Sequence, residues 1–395
     1  MEVRAARESE LEQIIALQVE RNGAECDPMI RALAADPDVG IERFSVAVEC
    51  GQVVSSIALM AQTFRLDGVS IPIGQPEFVA TAVAQERRGL IRRQMELLHS
   101  WSAERGDLTQ IIAGIPYFYR RFGYEYAIGM PPFRLVVPGA RPETREGWTV
   151  RDALPDDAGA ITALNAERQR DIDLTCGRSE RWWRWWIGPH GPGQVWVAER
   201  AGDIGGAAWM GDGPTSMGGA VTALMHVAVA GDDAIRALLA HAATLGRPVV
   251  IEERRGVTPL LDPVTVRHPR TYALYVRVPD PVRLLDCLRP VLSDRLRRSP
   301  LRGSSGRLLL SLYTTSILLS YADGEVVSVE AGPGEQNPVD KGGAGVPPDL
   351  IATLIYGRYG ASGLDARHDD VRLGPAAPVM DILFPRMQAD IATSL

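Results

Sequence analysis

The chain has 395 residues, of which 46% are apolar and 23% charged. That is ordinary globular composition and excludes a mainly disordered polymer. Its 42 Lys and Arg stand against 49 Asp and Glu, leaving a formal charge of −7, so the basic face that general nucleic-acid binding needs is not expected. At roughly 150 residues per domain the length predicts two or three domains. No apolar run approaches the ~18 residues of a membrane span, and the start, Met1 to Glu8, has no apolar core behind a basic segment. A cytoplasmic protein without a membrane partner is the expectation. Cys26, Cys50, Cys176 and Cys287 are far apart and form no CxxC pair, and His268 and His368 have no second ligand at i+3 or i+4. Neither a disulfide framework nor a metal site is expected.

The elements fall into an order with an internal repeat. Val3 to Gln18 (VRAARESELEQIIALQ) returns as Val150 to Asn165 (VRDALPDDAGAITALN), with identity at Val3/Val150, Arg4/Arg151, Ala6/Ala153, Ile14/Ile161, Ala16/Ala163 and Leu17/Leu164. Each copy reads as a short strand, a polar turn and an amphipathic helix. In the first copy strands follow at Phe44–Val48 and Val53–Phe64 around a turn at Glu49–Gln52, then at about Glu77–Ala82. A helix is predicted over Leu90–Trp101 from the spacing of Leu90, Ile91, Met95, Leu98 and Trp101, and a strand over Thr109–Ala113. Pro138–Pro142 reads as a linker. The second copy carries WWRWW (Trp182–Trp186), strands Val195–Glu199 and Met225–Val229, and a helix Ala234–Ala243.

Beyond about residue 272 the character changes to strands Leu308–Tyr313, Ile317–Tyr321 and Val326–Glu330. Asp323-Gly324 marks a hairpin between the last two. A Gly-rich loop spans Gly332–Val346, and helices follow at Leu350–Tyr356 and Val379–Leu383. The expected domains are residues 1–140, 141–274 and 275–395.

The sharpest chemical signal is Val79-Ala80-Thr81-Ala82-Val83-Ala84-Gln85-Glu86-Arg87-Arg88-Gly89-Leu90. A strand runs into a tight turn that opens a helix. Unpaired amides at a helix start form a natural cradle for a pyrophosphate. Gly89 permits close backbone approach, and Arg87 and Arg88 add positive charge. A solvated basic turn at an ordinary helix start is the competing reading, and physics alone leaves it open. Phosphate-loop and GxGxxG signatures are absent: Gly188–Gly193 and Gly342–Gly345 read as turns in the wrong context.

The segment resembles the acyl-CoA motif of GNAT acetyltransferases, V-x-T-x-P-x-x-R-R-R-G, with Val83 in place of proline and Glu86 and Ile91 as further departures. A carboxylate beside a pyrophosphate opposes binding, so Glu86 must turn away or be paired. A second segment, Phe118-Tyr119-Arg120-Arg121-Phe122-Gly123-Tyr124, resembles the family's F-Y-x-x-x-G-F/Y. The length, WWRWW, the Asp-Gly hairpin and the Leu383-Phe384-Pro385 segment are similar to the Eis-like (enhanced intracellular survival) group.

That resemblance implies an α/β fold (α+β overall): tandem GNAT units with mixed central sheets flanked by helices, plus a C-terminal sterol-carrier-protein-like domain. It implies an acetyl-CoA-dependent N-acetyltransferase acting on an amine-bearing small molecule by direct attack on the thioester, without a metal, in a homo-oligomer that is often hexameric. Arg87, Arg88, Gly89 and Leu90 would hold the pyrophosphate, while Val79, Ala80 and Thr81 would bind pantetheine and polarise the thioester. Tyr119 maps onto the general acid and the C-terminal carboxylate of Leu395 onto the group serving the amine. A tyrosine of pKa about 10 can protonate a thiolate whose thiol has pKa about 8.5 when held close. The alternatives are an acyltransferase using another acyl-CoA, and a carrier of an apolar ligand whose GNAT units have lost catalysis.

In the second copy the equivalent turn is Val229-Ala230-Gly231-Asp232-Asp233-Ala234. Asp232 and Asp233 there should reject a pyrophosphate, so one acyl site per chain is expected. For the Trp cluster, packing is favoured over lining an acceptor cleft. Glu20, Glu25 and Asp27 read as a solvated face rather than an amine attractor.

Overall fold

The computed structural model describes residues 1–36, 39–137, 146–189, 191, 193–212, 221–254, 265–267 and 272–391. The linker at Pro138–Pro142, His268 and Leu395 lie outside the described residues. In chain order the elements are β1 (Glu2–Ala5), α1 (Leu11–Asn22), α2 (Cys26–Ala34), β2 (Phe44–Glu49), β3 (Gln52–Leu66), β4 (Val69–Thr81), α3 (Leu90–Arg105), β5 (Thr109–Ile112) and β6 (Glu125–Gly129). There follow β7 (Phe133–Val136), β8 (Trp148–Asp152), α4 (Ala158–Gln169), β9 (Leu174–Thr175), α5 (Glu180–Ile187), β10 (Gln194–Arg200), β11 (Asp203–Asp212), β12 (Thr222–Val229), α6 (Asp232–Ala243), β13 (Val249–Glu252), β14 (Thr265–Arg267) and β15 (Ala273–Arg277). The last sheet uses β16 (Gly306–Ser311), β17 (Thr315–Ala322), β18 (Glu325–Pro333) and β19 (Ala344–Gly345). The fold is mixed α/β, with mixed sheets flanked by helices.

Two compact units are present: residues 1–129 with 173–175 and 273–389, and residues 130–172 with 176–272 and 390–395. In the first, the main sheet runs β1-β2-β3-β4-β5-β15-β6. Only β4 and β5 are parallel within it, and their pairing is confined to Ile73–Thr109 and Gly74–Gln110. Thereafter β4 continues along β3 to Thr81 and leaves its other edge unpaired with β5. The β2–β3 hairpin closes over Cys50-Gly51, both at positive φ as a two-residue turn requires. The β17–β18 hairpin closes the same way over Asp323-Gly324.

β4 begins at Val69, well before the Glu77 expected from sequence, and Pro72 and Pro76 lie within it. They sit at alternate positions of the ladder, opposite Thr63 and Leu59. Gly332–Val346, expected as loop, contributes the end of β18, a short 3-10 turn and β19, which pairs parallel with β16.

In the second unit the sheet runs β14-β7-β13-β12-β11-β10-β8, again with one parallel pair, β12 with β13. The repeated Val-Arg segments have a common structural purpose. Arg4 binds Glu10 at 2.6 Å while Glu10 caps the Arg7 amide, and Arg151 binds Asp157 at 2.6 Å while Asp157 caps the Leu154 amide. WWRWW forms most of α5. Trp183 and Trp186 are buried, Trp182 stacks on Trp186, and Trp209 meets Trp186 edge-on. All four cysteines are free thiols.

Candidate functional site

In the first unit a cavity of about 660 Å³ opens at the end of β4. It is lined by Val79, Ala80 and Thr81 from β4, by Arg87, Gly89 and Leu90 from the turn, and by Tyr119 with its neighbours Phe118 and Phe122. Seven of the residues singled out from the sequence therefore share one wall system. The β4 edge is open because β5 has diverged, so its amides and carbonyls can pair with an extended ligand, as any sheet edge can.

The turn has specific backbone needs. Gly89 lies at φ +75°, a left-handed conformation, and space is open on the side where a Cβ would stand. The first amides of α3 that follow it have no intrahelical partner, an arrangement that suits an anion. α3 is held in place by Gln94, fully buried, which donates to the Ser45 carbonyl at 2.9 Å and lies 2.6 Å from the Ser55 hydroxyl. Ser55 also meets the Thr81 hydroxyl at 2.8 Å. The strand and the helix of the cradle are thus tied through one polar cluster.

The two arginines part company. Arg87, itself at φ +61°, lines the cavity. Arg88 does not. It is held by Glu49 at 3.2 Å, with Gln85 also on Glu49 at 2.9 Å. Glu86 is paired as its position demanded: Arg21 of α1 reaches it at 2.7 Å, and both line the cavity. Arg21 and Arg92 are basic side chains at this wall that the motif alone did not single out.

Tyr119 is buried among Phe118, Phe122, Tyr124 and Tyr275. Gly114 is what admits its ring: a Cβ there would fall 2.0 Å from the ring's Cε2. Behind Tyr119, the Tyr124 hydroxyl meets His99 Nε2 at 3.0 Å. Burial pushes the Tyr124 hydroxyl up and His99 down to about 4, the Arg277 charge adding to the fall of His99. His99 is therefore neutral near pH 7.

One carboxyl was missed from sequence. Glu77 stands two residues before Val79, at the β4 bulge where Phe78 has φ +52°. Burial pushes its pKa up to about 7, against the opposing hydrogen bonds of Gln75 Nε2, at 2.7 Å, and the Phe78 amide. Nothing in the sequence signals this, because the shift comes from enclosure. Of the other predicted residues, Leu395 falls outside the described residues. Glu20 and Glu25 are exposed, and Asp27 is paired with Arg31 at 2.6 Å. Among the described residues no group of three or more His, Cys, Asp or Glu could hold a metal, and no helix is long and apolar enough to cross a membrane.

The second unit has the corresponding corner in a different state. β12 also diverges from β13 after Leu224, and His226 has φ +51° at its bulge. There Arg168 of α4 donates to the His226 and Val227 carbonyls at 3.0 and 2.9 Å. It also grips Asp390 through Nε at 2.8 Å and Nη2 at 3.1 Å. Arg254 binds the same Asp390 and also Glu252, whose carboxylate takes the His226 amide at 2.7 Å. All of these side chains are buried. Only Ala230 and Gly231 separate β12 from α6, and Asp232 and Asp233 open that helix.

Residues 2–127 match the family model described as acetyltransferase (GNAT) domain. No curated protein sequence matches the chain. Solved structures share its fold along the full length. A GCN5-related N-acetyltransferase from Anabaena variabilis superposes with a TM-score of 0.67 at 11% identity, covering 99% of this chain and 98% of its own. One from Kribbella flavida gives 0.66 at 16% identity, with both chains covered completely. Eis1 from Mycobacterium abscessus gives 0.60 at 16% identity, again with complete coverage.

Proposed function

We propose that this chain, whose residues 2–127 carry a GNAT acetyltransferase domain, is an N-acetyltransferase that moves the acetyl group of acetyl-CoA to an amine-bearing small molecule in the cytoplasm. The reading treats the repeat as two GNAT units followed by a sterol-carrier-like domain. The observation that carries it is the single cavity shared by the open β4 edge, the Gly89 corner and Tyr119. A pantetheine arm suits the unpaired edge, and a pyrophosphate suits the helix start with Arg87 beside it.

Bound there, acetyl-CoA supplies an activated acyl group. The chain's residues do the rest. Backbone amides of Val79–Thr81 polarise the carbonyl by donating to its oxygen. Tyr119 gives its hydroxyl proton to the departing sulfur. The amine must be neutral to attack, so a carboxylate takes its proton. By resemblance that group is the Leu395 carboxylate.

The test is release of free thiol from acetyl-CoA with a panel of amines, alongside calorimetric titration of acetyl-CoA. Binding with amine-dependent thiol release is the expected result. Tyr119→Phe should lower kcat about 100-fold with little change in acetyl-CoA affinity. No binding of acetyl-CoA would overturn the transferase reading and favour an apolar-ligand carrier. Full activity in Tyr119→Phe would remove the acid assignment.

A further inference from the structure

The turn that carries Tyr119 does not hold itself. Tyr117, which precedes the short helical turn Phe118–Phe122, sits at φ +69°, an unfavourable conformation for a residue with a side chain. The residue is 71% exposed, with the Arg120 guanidinium over its ring, so burial of the side chain does not fix the backbone there. What fixes it is a hydroxyl from far along the chain. The Tyr117 amide donates to the Tyr275 hydroxyl at 2.7 Å.

Tyr275 lies on β15, between β5 and β6, opposite Ile112 and Tyr126. It is fully buried, its ring stacks on Tyr126 with centroids 3.9 Å apart, and its centroid is 5.9 Å from that of Tyr119. The bare Gly114 backbone also lies against the Tyr119 ring. The Tyr119 ring therefore occupies a slot with Gly114 against it and Tyr275 packed beside it and fastened to its turn.

We infer that Tyr275 is a positioning residue for acyl transfer: its hydroxyl holds the Tyr117 backbone, and through that turn the Tyr119 hydroxyl, in register with the acyl site. The inference rests on the reading of Tyr119 as the proton donor. A proton donor displaced by a fraction of an ångström loses much of its effect, whereas a pyrophosphate held at the Gly89 corner is indifferent to that displacement. Tyr275 is not among the residues that line the cavity. Its effect should therefore appear in kcat and not in the KM for acetyl-CoA.

Tyr275→Phe is the test, because it keeps the stacked ring and removes only the acceptor for the Tyr117 amide. With the fastest amine of the panel above, kcat should fall about 10-fold while the acetyl-CoA KM stays within about twofold, and Tm should be little changed. The double variant Tyr119→Phe/Tyr275→Phe should be no slower than Tyr119→Phe alone, since both act on one proton transfer. Gly114→Ala presses on the Tyr119 ring independently and should give the same kcat-selective loss, which checks that kcat follows the placement of that ring.

Wild-type kcat in Tyr275→Phe beside an inactive Tyr119→Phe overturns the inference and leaves the acid assignment standing. Full kcat in Tyr119→Phe overturns both. Losses that multiply in the double variant, or a loss in Tyr275→Phe that tracks Tm, also overturn it.

Discussion

At the end of β4, Thr81 is followed by residues 82–89 before α3 begins; at the end of β12, Val229 is followed by Ala230 and Gly231 alone before α6. Both strands diverge from their parallel neighbour, and both carry a bulge with one residue at φ just above +50°. The first corner is left open, lined by Arg87, Gly89 and the β4 edge. The second is filled from inside: Arg168 takes the bulge carbonyls, and Asp390, Arg254 and Glu252 satisfy the rest. Carried three residues past the matched segment, the repeat sets Arg21 opposite Arg168. The same position thus serves a cavity rim in one unit and a buried plug in the other. A divergent strand pair exposes backbone groups that need partners. At both bulges the protein supplies some of them, Gln18 taking the Phe78 carbonyl in the first unit, but only in the first is the strand edge beyond the bulge left lining a cavity.

That contrast can be broken at the second corner first. Asp390→Asn removes a carboxylate from two buried guanidinium groups. Leaving a buried charge uncompensated costs about 3–5 kcal/mol, so a large fall in Tm on thermal unfolding is expected, without any gain of a second acetyl-CoA site by calorimetry. A near-wild-type Tm would mean that the network is not the structural plug described here. Replacing charged members together by apolar residues of similar volume should cost much less.

At the open corner the two arginines provide a finer test. Arg87→Glu should raise the acetyl-CoA KM about 10-fold or more, since a charge-assisted contact becomes a repulsion. Arg88→Glu should do less, because Arg88 points to Glu49. Equal effects would show that the Glu49 pair opens on binding.

A further expected effect is one of pH. The Glu77 carboxyl has its pKa raised to about 7 by burial, so between the ordinary carboxylate range near 4.5 and pH 7 the folded chain binds more protons than the unfolded one. Stability contributed by the neutral form is therefore complete below about pH 4.5 and declines as pH rises toward 7. Glu77→Gln should flatten that slope in urea titrations over this range, and a slope identical to wild type would show that Glu77 is not the group responsible.

Much of the open corner was legible in order along the chain. The strand, turn and helix of Val79–Leu90, and the aromatic turn after Thr109–Ile112, are local features whose geometry follows from glycine, cap and periodicity. The demand that Glu86 be neutralised was also readable, though its partner Arg21, distant in sequence, was not. Asp232 and Asp233, expected from sequence to reject a pyrophosphate at that turn, form the first turn of α6 after a shorter connection. Their charges suit a helix start, and what closes that corner comes from Arg168.

The sequence by itself determined the local chemistry: which turn can present amides, which aromatic follows it, and where two-residue hairpins fall. Only the tertiary structure decided that β15 enters the first sheet between β5 and β6, and that β7 sits in the second sheet between β13 and β14. It also set Tyr275 beside Tyr119 and Asp390 against Arg168. The physical reason is that strand pairing and burial are contacts between residues far apart in the chain. Periodicity says that a segment will be buried, but a pKa raised by enclosure or a hydroxyl borrowed from another strand exists only after the chain has closed on itself.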